Sequence, residues 1–323
     1  MGYCGRVGAL IVVSIWCFTG LAAGQQRAGI STWSAPRTPW GDPDLQGVFT
    51  NEDEAAVPME RPERFAGRSL DSITPEELAA FAAESMAVRR ENARNNGFAA
   101  LSPVRFDLSP SRAWLVVDPP DGKIPPLTVV GRQRQASYAE RLAQRPTAAA
   151  DLSLSHRCIG LGLPGAMMPV GAGFTYEIVQ ARGYVAIRYE STNDARLIPL
   201  DGRVHSPHRI AMYMGDARGH WERDTLVVET TNLKGQFQRT SAAGANLRLV
   251  ERFKSLTSGS LEWTVTVDDD GWTRPWTFAM LLTKLGDGQR PLENACHEGN
   301  LPLGHMLSAA SADEGVGTEA DSK

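Results

Sequence analysis

The sequence predicts a mainly β fold: an antiparallel barrel-like or sandwich meander with an N-terminal extended arm and one or two helices. Three observations carry this expectation. Apolar residues recur with a period of two from Phe174 onward, polar turn signals separate the resulting short segments, and helical periodicity is confined to the first half of the chain. The composition is that of an ordinary globular protein, with 42% hydrophobic and 22% charged residues among 323. A net charge of −4 argues against a nucleic-acid partner or a general anionic-membrane binder.

The elements follow in chain order. Arg6, the apolar run Val7–Ala23 and the small residues Ala22-Ala23-Gly24 read as a signal peptide over 1–24, cut after Gly24. The run is short for a membrane anchor, and no later stretch is long and apolar enough to span. Residues 25–109 are expected to form an arm and a helix packed on the body. The arm is rich in Pro, Gly and Asp, with one short strand near Val48. Thr74-Pro75-Glu76-Glu77 supplies a cap, a first-position proline and a Glu three residues past the cap. Leu78, Phe81, Ala82, Ser85 and Met86 then mark one helical stripe, and Gly97 a stop.

Residues 110–307 are the expected β-rich body. Trp114–Val117 reads as a strand, and four prolines between Asp118 and Pro126 enforce turn and extended chain. Residues 128–144 fit a charged second helix, and 160–173 a Gly/Pro/Met-rich loop. Segments 174–180 and 183–190 flank the turn Ala181-Arg182-Gly183. Further strands are expected at 197–200, 224–231, 246–254, 261–267 and 276–283, and 308–323 as a disordered tail.

Several blocks together resemble a family of uncharacterised exported bacterial proteins. They are Gly41-Asp42-Pro43-Asp44-Leu45-Gln46-Gly47-Val48, Asp118-Pro119-Pro120-Asp121-Gly122, Met214 to Thr230, Leu249-Val250-Glu251-Arg252-Phe253, Trp272-Thr273-Arg274-Pro275-Trp276 and Ala295-Cys296-His297-Glu298-Gly299-Asn300. The resemblance implies an exported, singly folding unit and carries no catalytic residue. The family pattern Gly-Arg-Trp-Glu-Gly-Asp reads here Gly219-His220-Trp221-Glu222-Arg223-Asp224, which disfavours shared chemistry at His220.

Function is less legible. The chain has no nucleophile elbow, phosphate-binding glycine loop, His-Glu-x-x-His or Cys-x-x-Cys. Cys158 and Cys296 are the two cysteines beyond the export segment, and in an oxidising compartment they are expected to form one disulfide, separate buried thiols being the alternative. His297 beside Cys296 is the candidate acid or base, with Glu298 or Glu190 orienting it; a hydrogen-bonded loop pair is the plainer reading.

Arg188, Arg252 and Arg274 could grip an anion if turned into a barrel, with Trp272 and Trp276 stacking on the guest. Glu229 and Arg248 belong to the same set of charged strand residues. The alternation of Val185, Ile187 and Tyr189 instead favours Arg188 on the solvent face. Trp263 fits core periodicity with Leu261 and Val265. His205, His208 and His220 could ligate a metal, but surface loop histidines account for them as well, so no metal and no cofactor is expected. The resulting expectation is an exported binder of a small organic molecule with cofactor-free proton-transfer chemistry as an option. The alternative is a non-catalytic structural or partner-binding envelope protein.

Overall fold

A computed structural model describes residues 33–95, 108–169, 175–191, 194–234 and 242–309, together with Met1. Apart from Met1 the expected signal peptide, the expected stop at Gly97 and residues 310–323 lie outside the described residues. The fold belongs to the unit Ser34–Lys323.

Ten strands form one antiparallel sheet: β1 (Gly47–Thr50), β2 (Val116–Asp118), β3 (Thr175–Ala181), β4 (Tyr184–Tyr189), β5 (Asp194–Pro199), β6 (Asp216–Glu222), β7 (Thr225–Thr231), β8 (Arg248–Thr257), β9 (Ser260–Asp268) and β10 (Trp276–Lys284). Their order is β5-β4-β3-β1-β10-β9-β8-β7-β6, with β2 added beside β10. The sheet curls into a nearly closed barrel. Its two end strands, β5 and β6, meet through side chains without a backbone ladder. Gly219 of β6 makes that approach possible. A Cβ there would stand 2.8 Å from Ile198 Cγ2 of β5 and 2.7 Å from Leu200 Cδ2 just past it.

The expected strand near Val48 is β1, and it is not peripheral. It joins β3 to β10, so the arm completes the barrel wall. The β3–β4 hairpin turns through Gly183 at φ +79°, as its sequence requires. The structure adds a strand that the alternation did not mark, β6. Arg223 follows it at φ +56°, a turn conformation that favours glycine.

Side chains of β8 and β9 alternate across the wall. Leu249, Glu251 and Phe253 of β8 are buried within, and the Arg248 and Arg252 side chains lie outside. Trp263 sits inside with Leu261 and Val265, as its periodicity implies. Trp276 and Phe278 of β10 complete an aromatic ladder with Trp263, the Trp263–Phe278 centroids lying 5.6 Å apart.

Helix α1 (Pro75–Asn95) opens with the expected capping box: Glu77 N donates to Thr74 Oγ1 at 3.2 Å and Thr74 N to Glu77 Oε2 at 3.0 Å. Its Leu78 and Phe81 pack on a small separate core of Phe65, Ala113 and Trp114. Helix α2 (Val129–Ala143) is capped by Thr128, whose Oγ1 accepts from Gly131 N. Helix α3 spans 301–309. No helix among the described residues is long and apolar enough to cross a membrane.

Gly131 fixes where α2 docks. A Cβ on it would lie 2.0 Å from the Gly271 carbonyl oxygen, a rigid backbone atom. Gly131→Ala would gain about 1 kcal/mol of helix propensity, but relieving the collision costs about 1–3 kcal/mol. The net expectation is a lower urea midpoint at unchanged slope; a raised midpoint would show that α2 does not dock this closely.

Candidate functional site

The polar pocket expected inside the barrel is replaced by a packed interior. Tyr176, Ile187, Val228, Phe253, Trp263 and Met280 have 0% accessible surface. A void holding even one water would give such neighbours some exposure. Met167 and Met168, buried to 0% and 3% exposure, add to this core from the loop before β3. Asn51 joins the two parts, donating to Met167 O at 2.6 Å and accepting from Tyr176 Oη at 3.1 Å.

The residues expected to line the pocket are not brought together. Strand alternation puts Arg188 outside, 3.9 Å from Glu177. Arg252 pairs with Glu222, Arg248 with Glu229, and Arg274 with Asp118 at 3.0 Å, all with substantial exposure. Trp272 and Trp276 are buried against each other with centroids 5.8 Å apart, so neither presents a free face. Glu190 is half-buried just past β4. His297 and Glu298 are exposed beside the disulfide, and no hydrogen bond or ion pair among the described residues joins either to Glu190 or the arginines. His205 lies between two carboxylates, Nδ1 at 3.3 Å from Asp216 Oδ2 and Nε2 at 3.3 Å from Glu229 Oε1. His208 is exposed, and His220 faces Glu222 on the outer wall. Among the described residues no cluster of three or more His, Cys, Asp or Glu side chains is arranged to hold a metal.

The interior does hold one charged pair. Arg196 of β5 makes a two-pronged contact with Glu251 of β8, its NH2 donating to Oε1 at 3.1 Å. Trp263 Nε1 donates to the same oxygen at 3.1 Å, and Arg196 NH1 reaches Thr230 Oγ1 at 3.4 Å. Both charged side chains are almost wholly buried, at 2% and 0% exposure. The neighbouring Tyr189 hydroxyl is pushed well above the ordinary tyrosine range, chiefly by burial. This cluster ties β5 to β7 and β8 across the strand end that has no ladder. The Glu251 carboxylate is taken up by Arg196, Trp263 and Thr230, while Arg196 Nε and the Tyr189 hydroxyl stay buried without a partner among the described residues; the pair acts as a clasp between strands.

A cleft of about 230 Å³ lies instead where α2 meets the loop of residues 150–161. The first half of α2 is fixed. Thr128 Oγ1 donates to Asp270 O at 2.7 Å, and Arg134 NH1 donates to Asp269 Oδ1 at 3.1 Å and to Asp270 Oδ1 at 2.6 Å. Its second half projects Tyr138, Arg141 and Leu142 toward the loop. The loop is stiffened from within. Asp151 Oδ2 accepts from Thr147 N, Thr147 Oγ1 and Ala148 N at 2.9, 3.0 and 2.9 Å. These donors, the Ala148 N–H first, hold the Asp151 carboxyl below its ordinary range.

The Cys158–Cys296 disulfide, with Cα atoms 5.6 Å apart, anchors the loop's far side. Asn300 Nδ2 adds a hydrogen bond to His156 O at 3.0 Å. Four leucines, 142, 152, 154 and 161, supply the apolar lining. Arg157 lines the same cleft, and its guanidinium has no hydrogen-bond or ion-pair partner among the described residues. Sequence reading did not find this site, because it joins the end of a helix to a loop, and the alternation of Leu152 and Leu154 is too short to mark an element. The available signal was Leu152, Leu154 and Arg157 in a turn-rich stretch leading to Cys158.

No family model matches the chain, and no curated protein matches it. Among solved structures, it is similar to a secretary abundant heat soluble (SAHS) protein from Ramazzottius varieornatus. That similarity covers 34% of this chain and 70% of the other at 14% identity, with a TM-score of 0.24. A likeness this slight carries no argument about function.

Proposed function

We propose that this is an exported, non-catalytic binding protein that takes a small organic molecule in the cleft between α2 and residues 150–161. The observation that carries the reading is a leucine-lined hollow outside a barrel with a filled interior. Export is supported by the composition of residues 1–24 and by the Cys158–Cys296 bond, which suits an oxidising compartment. A binding rather than a chemical role is supported by the exposure of His297 and Glu298, unpaired with any arginine on the outer wall.

The volume is below the range of about 300–1,000 Å³ usual for drug-sized ligands, so a compact guest is expected. The neutral fluorescent probe N-phenyl-1-naphthylamine tests the apolar lining without invoking charge. The wild-type protein should enhance its emission saturably. Ala150→Trp places an indole over the cleft from an exposed position and should abolish that enhancement while leaving the unfolding midpoint in place. Equal probe binding by the variant would remove the cleft as the site.

A further inference from the structure

From the charges around the same cleft, and resting on the binding role proposed for it, we infer that its ligand class is a compact monocarboxylate with an apolar body, held by Arg157. Four observations point this way. Arg157 is a half-buried residue whose guanidinium has no partner among the described residues, in a hollow whose other charged groups are already engaged. Arg141 lies over the Tyr138 ring, its Cζ 5.1 Å from the centroid. Asp151 is satisfied by its own loop through three donors.

The third observation concerns ligand charge. A planar carboxylate matches one guanidinium through two parallel hydrogen bonds. A dianion such as a phosphate monoester would bring a second charge toward the Asp151 carboxylate, which lines the same cleft. The two guanidiniums and one carboxylate of the lining leave one net positive charge, which suits a monoanion. The fourth is shape. Leu142, Leu152, Leu154 and Leu161 offer an apolar bed, so an aryl or short alkyl body is favoured over a polyhydroxylated one.

The experiment compares benzoate with benzamide, which share a body and differ in charge, as competitors of N-phenyl-1-naphthylamine. Hydrogen bonds to a charged group are worth about 1.5–3 kcal/mol, so benzoate should displace the probe at least about tenfold more effectively than benzamide. Phenyl phosphate should compete less well than benzoate. Arg157→Gln should bring the benzoate and benzamide values together while retaining probe binding, and Arg157→Lys should restore part of the preference. Equal competition by the two compounds on the wild-type protein, or a preference that survives in Arg157→Gln, would overturn the carboxylate assignment and leave the cleft reading intact. Probe binding insensitive to Ala150→Trp would instead defeat the cleft reading itself.

Discussion

Replacing Arg196 with Met is expected to destabilise the barrel by about 3–5 kcal/mol, the usual consequence of leaving a buried charge without its partner. Glu251 has 0% side-chain exposure, so in the variant its carboxylate keeps only Trp263 Nε1 and Thr230 Oγ1 within reach. The position adds a second consequence. β5 and β6 share no ladder, and Arg196 is the polar link from β5 to β7 and β8. Amide exchange in β5 and β6 should therefore accelerate more than in β9 and β10. Glu251→Leu combined with Arg196→Met should recover part of the loss, because two apolar groups need no partner while the buried Trp263 Nε1 loses its acceptor. A urea series on the four proteins measures this. A single-variant cost below about 1 kcal/mol, or a double variant no better than the singles, would show that the pair is not the clasp.

The second large effect concerns the disulfide. Cys158 and Cys296 are 138 residues apart, and the chain-entropy model assigns such a crosslink about 5 kcal/mol. Removing native disulfides generally costs about 2–5 kcal/mol. Residues 286–300 are mostly exposed, and side-chain hydrogen bonds from Asn294 to Ser191 O and from Asn300 to His156 O and Cys158 Sγ supplement the covalent tie. The double variant Cys158→Ala, Cys296→Ala should therefore unfold at a lower urea midpoint. It should also show faster amide exchange in residues 153–161 and weaker N-phenyl-1-naphthylamine binding, since Arg157 and Leu161 lose their neighbouring anchor. Coincident unfolding curves with and without the bond would contradict this, as would probe affinity unchanged by its loss.

The wall of this barrel was legible in the sequence and its closure was not. The β3–β4 hairpin shows plainly because Ile178, Val185 and Ile187 alternate around a glycine turn. β6 does not, because Asp216, Arg218, Gly219 and His220 are poor strand formers. They form one because Gly219 lets β6 approach Ile198 and Leu200, a long-range fit that no local pattern encodes. The clasp left a readable trace. In Leu249-Val250-Glu251-Arg252-Phe253 the glutamate shares parity with two apolar residues and so had to be buried. Alternation with Val185, Ile187 and Tyr189 already favoured Arg188 on the solvent face, and the same parity, left unapplied to Arg252, sends that side chain outward too.

The most direct test is to locate a bound ligand by its own scattering. Crystals soaked in 4-bromobenzoate should show one bromine anomalous peak against Leu142, Leu152 and Leu154, with the carboxylate at the Arg157 guanidinium. A bromine peak inside the barrel, between Arg196 and Trp263, would contradict the packed interior and the external site together.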